Sequence, residues 1–162
     1  MVDNLEKQYN SLLKFDSYTN QEIIDLLKVI YKRDIEENLN FKFRGKTIYS
    51  INRDYKKLFL HLTTIVIDPK KRAFEEERSK RLHWILHHVL ENDPPKLQVF
   101  SVTEKDAIRT YLLDEEEKYV IILEPRRKTF DAYYLIAAYC LNNTNKLESV
   151  KQKKKRQLST VY

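Results

Sequence analysis

Prolines on either side fence off the segment that most limits what this chain can fold into. Asp68-Pro69 ends a β-branched run, and Asn92-Asp93-Pro94-Pro95 stops the chain again. Between them Leu82, Ile85, Leu86 and Val89 recur at helical spacing. The spacing predicts a long helix from about Lys71 to Leu90 with one apolar side. Glu75, Glu76 and Glu77 suit the positive end of its dipole, and His87 and His88 the negative end. An apolar stripe of this kind needs a cover, and the residues after Leu97 are the nearest in sequence.

Those residues read as a strand meander. Strands are expected at Leu97–Val102, Ile108–Leu113, Tyr119–Glu124 and Phe130–Leu141. The acidic run Asp114-Glu115-Glu116-Glu117 and the run Pro125-Arg126-Arg127-Lys128 turn the chain between them. Before the long helix, residues 3–13 read as a short helix. A second helix runs from an Asn20 cap to about Glu37. Phe41–Phe43 and Thr47–Ile51 alternate as strands around Arg44-Gly45. The run from Leu58 to Ile67 is ambiguous, with a strand favoured at its β-branched end. Lys146 onward suits a terminal helix. The order predicts a single α+β domain: N-terminal helices and a long central helix packed on a mainly antiparallel sheet. Its parts are a helical portion over residues 1–40, a core over 41–145 and a basic tail over 146–162.

Composition removes several kinds of chemistry. Gly45 is the sole glycine, so no glycine-rich phosphate loop exists and nucleotide-dependent phosphoryl transfer is not expected. One cysteine, Cys140, permits neither an internal disulfide nor a cysteine-rich zinc motif. No apolar run approaches the roughly 18–20 residues of a membrane span, and the acidic start Met1–Glu6 lacks a signal core. The expected location is the cytoplasm, without a membrane partner. A net charge of +6 favours a polyanion. Much of the excess lies in Lys151-Gln152-Lys153-Lys154-Lys155-Arg156.

Arg78 and Arg81 stand one turn apart on the expected helix, with Trp84 and His88 continuing the line. Two guanidiniums, an indole and an imidazole on one edge can hold a phosphate and stack a base. A merely solvated flank gives the same spacing. Arg109 and Tyr111 share one face of their strand, and Tyr139 shares a face of the last strand with Tyr133, Leu135 and Ala137. Cations beside phenols suit RNA, although tyrosine is favoured in strands for packing alone. His83 and His87 have the spacing of a zinc pair, but no glutamate lies between them and no third ligand follows, so no metal or other cofactor is expected.

From Leu58 to the tail, the chain resembles the phage-associated members of the barnase–EndoU–colicin–RelE-like nucleases. The resemblance rests on His61-Leu62-Thr63-Thr64 and on Arg78-Ser79-Lys80-Arg81-Leu82-His83-Trp84-Ile85. It rests also on Ile108–Leu112, Tyr119–Leu123 and Tyr134-Leu135-Ile136-Ala137-Ala138-Tyr139. It implies a RelE-like α+β fold and a toxin-like, metal-independent endoribonuclease that turns the RNA's own 2′-hydroxyl on the adjacent phosphate. Arg78, Arg81 and Arg109 would stabilise the phosphate. His83 or His88 would carry protons, and Tyr111 or Tyr139 would orient or stack. Trp84, Arg126, Arg127, Lys151, Lys153, Lys154, Lys155 and Arg156 would hold the RNA, whether tRNA or another structured RNA. An acidic antitoxin or immunity protein is the implied protein partner. Ala137 stands where such proteins often carry threonine, which implies weakened or lost activity. The alternatives are a non-catalytic nucleic-acid- or protein-binding module on the same fold, and an unrelated α+β interaction protein that uses residues 1–40.

Overall fold

The computed structural model describes residues 2–162. In chain order the helices are α1 (Val2–Leu5), α2 (Asn20–Tyr31), α3 (Tyr55–Thr63), α4 (Glu76–Ser79), α5 (Trp84–Val89) and α6 (Thr144–Lys155). The strands are β1 (Lys42–Phe43), β2 (Lys46–Tyr49), β3 (Thr64–Asp68), β4 (Lys71–Phe74), β5 (Leu97–Glu104), β6 (Ala107–Asp114), β7 (Tyr119–Pro125) and β8 (Tyr133–Cys140). Six strands form one sheet in the order β1-β2-β8-β7-β6-β5. Every pairing in it is antiparallel except β2 with β8. β3 and β4 make a separate antiparallel ribbon. The fold is therefore mixed α+β around a mostly antiparallel sheet. No helix among the described residues is long and apolar enough to cross a membrane.

Alternation along the meander gives the large sheet two apolar faces. Leu112, Tyr119, Ile121, Leu135 and Ala138 face α2 and α5, where Leu82, Ile85 and Val89 are buried with Leu86 partly so. The helical spacing thus found the cover it required. Phe100, Val102, Tyr111, Leu113, Val120 and Ile122 face the other way, under Leu147 and Val150 of α6. The β1–β2 turn is the one place where glycine is demanded. Gly45 follows Arg44, and both have positive φ, 79° and 50°, as a tight hairpin with right-handed twist needs.

The long helix expected over Lys71–Leu90 is not continuous. Lys71–Phe74 pairs with β3 instead, with Thr64 opposite Phe74 and Val66 opposite Arg72. Glu75 caps α4, its carboxylate accepting from the amides of Glu77 and Arg78. The Glu75 amide and the Ser79 hydroxyl both donate to the Thr63 carbonyl, at 2.9 and 3.2 Å. These ties fasten α4 to the end of α3. Tight three-residue turns then redirect the chain, for instance from the Leu82 amide to the Ser79 carbonyl and from the Trp84 amide to the Arg81 carbonyl.

Two further expectations need correction. Residues 3–13 do not form one helix. After α1 the chain becomes a strap across α5, held by the Leu13 amide on the Lys80 carbonyl at 3.1 Å and by Asn4, which pairs with both backbone groups of Lys14. The cap of α2 is Thr19 rather than Asn20. The Thr19 hydroxyl accepts from the Glu22 amide and the Glu22 carboxylate accepts from the Thr19 amide, closing a capping box. Thr19→Ala should lower stability by about 1 kcal/mol in urea titrations. A change within the error of the titration would show that α2 is held by its packing alone.

The terminal helix expected from Lys146 forms as α6, and it is packed on the sheet rather than a free basic tail. Val150 is buried and Leu147 partly so, and both cover the second sheet face. After α6 the chain passes the edge of β5 and then crosses the sheet toward β6 and β8. The Leu158 amide donates to the Ser101 carbonyl at 2.8 Å, and the Tyr162 carbonyl accepts from Thr110 Oγ1 and the Tyr133 hydroxyl.

Candidate functional site

The sheet divides the residues singled out from the sequence into two groups. Trp84, His83 and His88 lie on the α5 side and are all buried. His83 Nε2–H and Trp84 Nε1–H donate to the same carbonyl, that of Ser11, at 2.9 and 3.1 Å. His88 Nε2 lies 3.2 Å from Asp114 Oδ2, and the Tyr9 hydroxyl donates to the same oxygen. These side chains anchor the N-terminal strap. Trp84 cannot stack a base, and neither histidine reaches the face that carries Tyr111 and Tyr139. Burial keeps the His83 imidazole below its usual pKa, outweighing its hydrogen bond to Ser11. His87 is pushed down by burial and then by His88, and its ring stacks on Tyr9 at 4.3 Å.

The arginines differ in what already holds them. Arg81 donates to the Glu77 carbonyl and carboxylate at 2.7 and 2.9 Å, with its guanidinium 5.2 Å from the Trp84 ring centre. Arg109 lies 2.7 Å from the Glu124 carboxylate. Arg127 reaches the same carboxylate at 3.9 Å, and Arg126 pairs with Asp131 at 3.5 Å. All four are opposed by an acid. Arg78 is held mainly by neutral groups: its Nη1–H donates to the carbonyls of His61 and Thr64 at 2.7 and 3.1 Å. Its closest carboxylate contact is Glu75, at 3.8 Å. Burial works against its charge, and its guanidinium stands 5.8 Å from the Tyr139 ring centre.

Tyr139 opens onto a groove of about 300 Å³ lined also by Asn143, Lys146, Ser149 and Lys153. The second turn of contacts is built from β5, β6 and α6. Lys153 Nζ donates to the Tyr111 hydroxyl at 2.9 Å and lies 2.6 Å from Glu104 Oε1, to which that hydroxyl donates in turn at 2.8 Å. Phe100 stacks on Tyr111 with ring centres 5.2 Å apart and fixes its plane. Burial, then the bond to Glu104, pushes the Tyr111 phenol well up. Burial alone would raise Glu104, but hydrogen bonds from Lys153 and Tyr111 outweigh it and hold the carboxyl below its ordinary range. Burial raises Tyr139 against the opposing pull of Lys153 and Arg78. The set is two phenols pushed up and one carboxyl pushed down, beside the side chains of Lys153 and Arg78.

Of the residues expected to act together, Arg78 and Tyr139 meet, Tyr111 joins through Lys153, and Arg109 sits on the same sheet face engaged with Glu124. Lys151 and Lys154 bind Glu115 and Gln98, both at 2.7 Å, while Lys155 and Arg156 are exposed. Lys153 was expected only as one cation among several. Glu104 was missed because its strand was ended at Val102. Extending the alternation Phe100, Val102 by one step puts it on the Tyr111 face. Among the described residues no group of three or more His, Cys, Asp or Glu is placed to hold a metal ion. No protein-family model, no curated protein and no solved structure gives a significant match to the chain.

Proposed function

We propose that the groove binds RNA and that the chain is a toxin-like, metal-independent endoribonuclease of RelE-like fold. The observation that carries this reading is the Arg78–Tyr139–Lys153 row, with Lys153 linked on to Tyr111 and Glu104. A phenol ring with one cation against it and a second lining the same groove suits a phosphate flanked by a base. The roles first given to histidines pass to groups of the groove and to Glu104 and Tyr111, which Lys153 joins to it. The Glu104 carboxylate takes the proton of the 2′-hydroxyl as the 2′-oxygen bonds to phosphorus. The bond from phosphorus to the 5′-oxygen breaks, and a phenol supplies the proton that oxygen needs. Lys153 and Arg78 face the charge that develops on the phosphate. An acidic antitoxin or immunity protein would cover the same cations, and the setting would be cytoplasmic.

A second reading, RNA binding without cleavage, is favoured by Ala137. It lies beside Tyr139 on the groove face, and its methyl group has no proton to give. Incubation of the purified protein with total RNA in excess chelator separates the two. Fragments with cyclic-phosphate ends support the nuclease. Retarded but intact RNA supports the binder. RNA that is neither cut nor retarded overturns both.

A further inference from the structure

A second cavity, of about 130 Å³, lies at the other end of β8, between the β2–α3 connection and α3. Leu58, Leu135 and Ile136 form its apolar wall, and Asn52, Lys57 and His61 its polar rim. Leu58 and Leu135 are buried, whereas Asn52 and Lys57 are open to solvent. The connection is unusual: Asn52 and Arg53 both hold positive φ, 54° and 58°. That bend lays the Arg53 guanidinium over the Tyr49 ring at 3.7 Å, with Arg126 at 5.4 Å from the same ring. The exposed rim of the cavity carries one cation, Lys57, and one carboxylate, Asp54, with the Arg53 guanidinium outside it over Tyr49. The inner wall is apolar, with Leu135 from the main-core face of β8 and Ile136 from the other, and the Asn52 amide stands at the mouth.

We propose that this cavity takes one nucleobase, with the attached phosphate on the Lys57 side. The inference rests on the RNA reading of the groove and adds a place where sequence is read. Each part of the cavity matches a part of a nucleotide. A ring needs an apolar face to lie against. Its polar edge needs a group that both donates and accepts, which an asparagine amide supplies. The phosphate needs a cation. A simple anion would have no use for the Leu135 and Ile136 wall, and a purely apolar ligand none for Asn52 or Lys57. Burial and the nearby Arg72, Lys57 and Arg78 keep His61 below its usual pKa against the opposing Asp54. At neutral pH its ring therefore offers one donor and one acceptor. The cavity is also within reach of the groove. Ile136 and Tyr139 are three residues apart on β8, about 10 Å along a strand, and Arg78 ties the Tyr139 end to the His61 carbonyl.

Methyl NMR on the full chain tests this with three probes: each nucleoside monophosphate, ribose 5-phosphate, and a single-stranded RNA oligonucleotide. Shifts of the Leu135 and Ile136 methyls with at least one nucleotide, and not with ribose 5-phosphate, are expected. Shifts with the oligonucleotide alone would also support a base site, one filled from the RNA chain rather than from free nucleotide. Asn52→Gly keeps the positive φ comfortable while removing the amide. It should weaken nucleotide or oligonucleotide occupancy of the cavity on the order of tenfold and leave the melting temperature nearly unchanged. Equal shifts with ribose 5-phosphate would overturn the proposal. So would oligonucleotide shifts around Tyr139 and Lys153 with none at Leu135 and Ile136, a result that leaves the groove reading standing. No shift at either place would remove both.

Discussion

Asp114→Asn should lower the unfolding free energy by roughly 3–5 kcal/mol, because the variant weakens several buried hydrogen bonds to a charged acceptor, each worth about 1.5–3 kcal/mol. Asp114 is fully buried at the end of β6. Its carboxylate accepts from the Tyr9 hydroxyl and the Glu117 amide and lies 3.2 Å from His88 Nε2. Burial by itself would raise its pKa, but the contacts from His88, Tyr9 and Glu117 outweigh burial and lower it. A folded-state pKa below the unfolded one gives a definite sign. The carboxylate's contribution is fully present above the unfolded value and is lost as pH falls through the folded value. Urea titrations of the native chain should therefore show stability falling through the acid range, and Asp114→Asn should flatten that fall. Tyr9→Phe removes one hydrogen bond to a charged acceptor and should cost about 1.5–3 kcal/mol. A loss below about 1 kcal/mol for Asp114→Asn would mean that the strap is held by Trp84, Leu13 and their packing instead.

Lys153→Ala should reduce RNA cleavage about 10²-fold, the scale seen when one donor to a developing charge is removed. Lys155→Ala, two residues further along the same helix and exposed, should change cleavage no more than about twofold. The contrast tests position against bulk charge, because each variant removes one cation from the same helix. Thermal melts guard against a trivial cause. Lys153 also neutralises Glu104 at 2.6 Å, so the variant will be somewhat less stable, and Lys153→Met restores the packing of the stem without the charge. Cleavage lost equally in Lys153→Ala and Lys155→Ala, with both chains folded, would show that the groove is misplaced.

Much of the sheet was legible because its signals are local. Alternation and turn residues between Leu97 and Leu141 give four strands, and each was found within a few residues of its expected limits. The apolar stripe of Leu82, Ile85 and Val89 likewise found its cover. What failed depends on bonds between distant residues. Nothing local to Lys71–Phe74 distinguishes the first turns of a helix from a strand. The pairing with Thr64–Val66 decides it. The redirection after Ser79 depends on the carbonyl of Thr63. Trp84 and His88 lay on a plausible helix edge, but the strap from Tyr9 to Leu13 buries that edge, and no periodicity announces a strap. Within the site, alternation put Arg109 and Tyr111 on one face. Only the β6–β7 register shows that Glu124 already engages Arg109, and only the docking of α6 brings Lys153 to Tyr111.

The sheet also acts as a partition. Along β6, Thr110, Leu112 and Asp114 look toward the strap and the main core, while Arg109 and Tyr111 look toward α6 and the groove. Even-numbered positions on that strand serve the main core, and odd-numbered ones from Arg109 to Tyr111 serve the face under α6. Parity, rather than distance along the chain, separates the two. The groove face can therefore change through single substitutions while the strap, the histidines and Asp114 stay as they are, a backbone's thickness away.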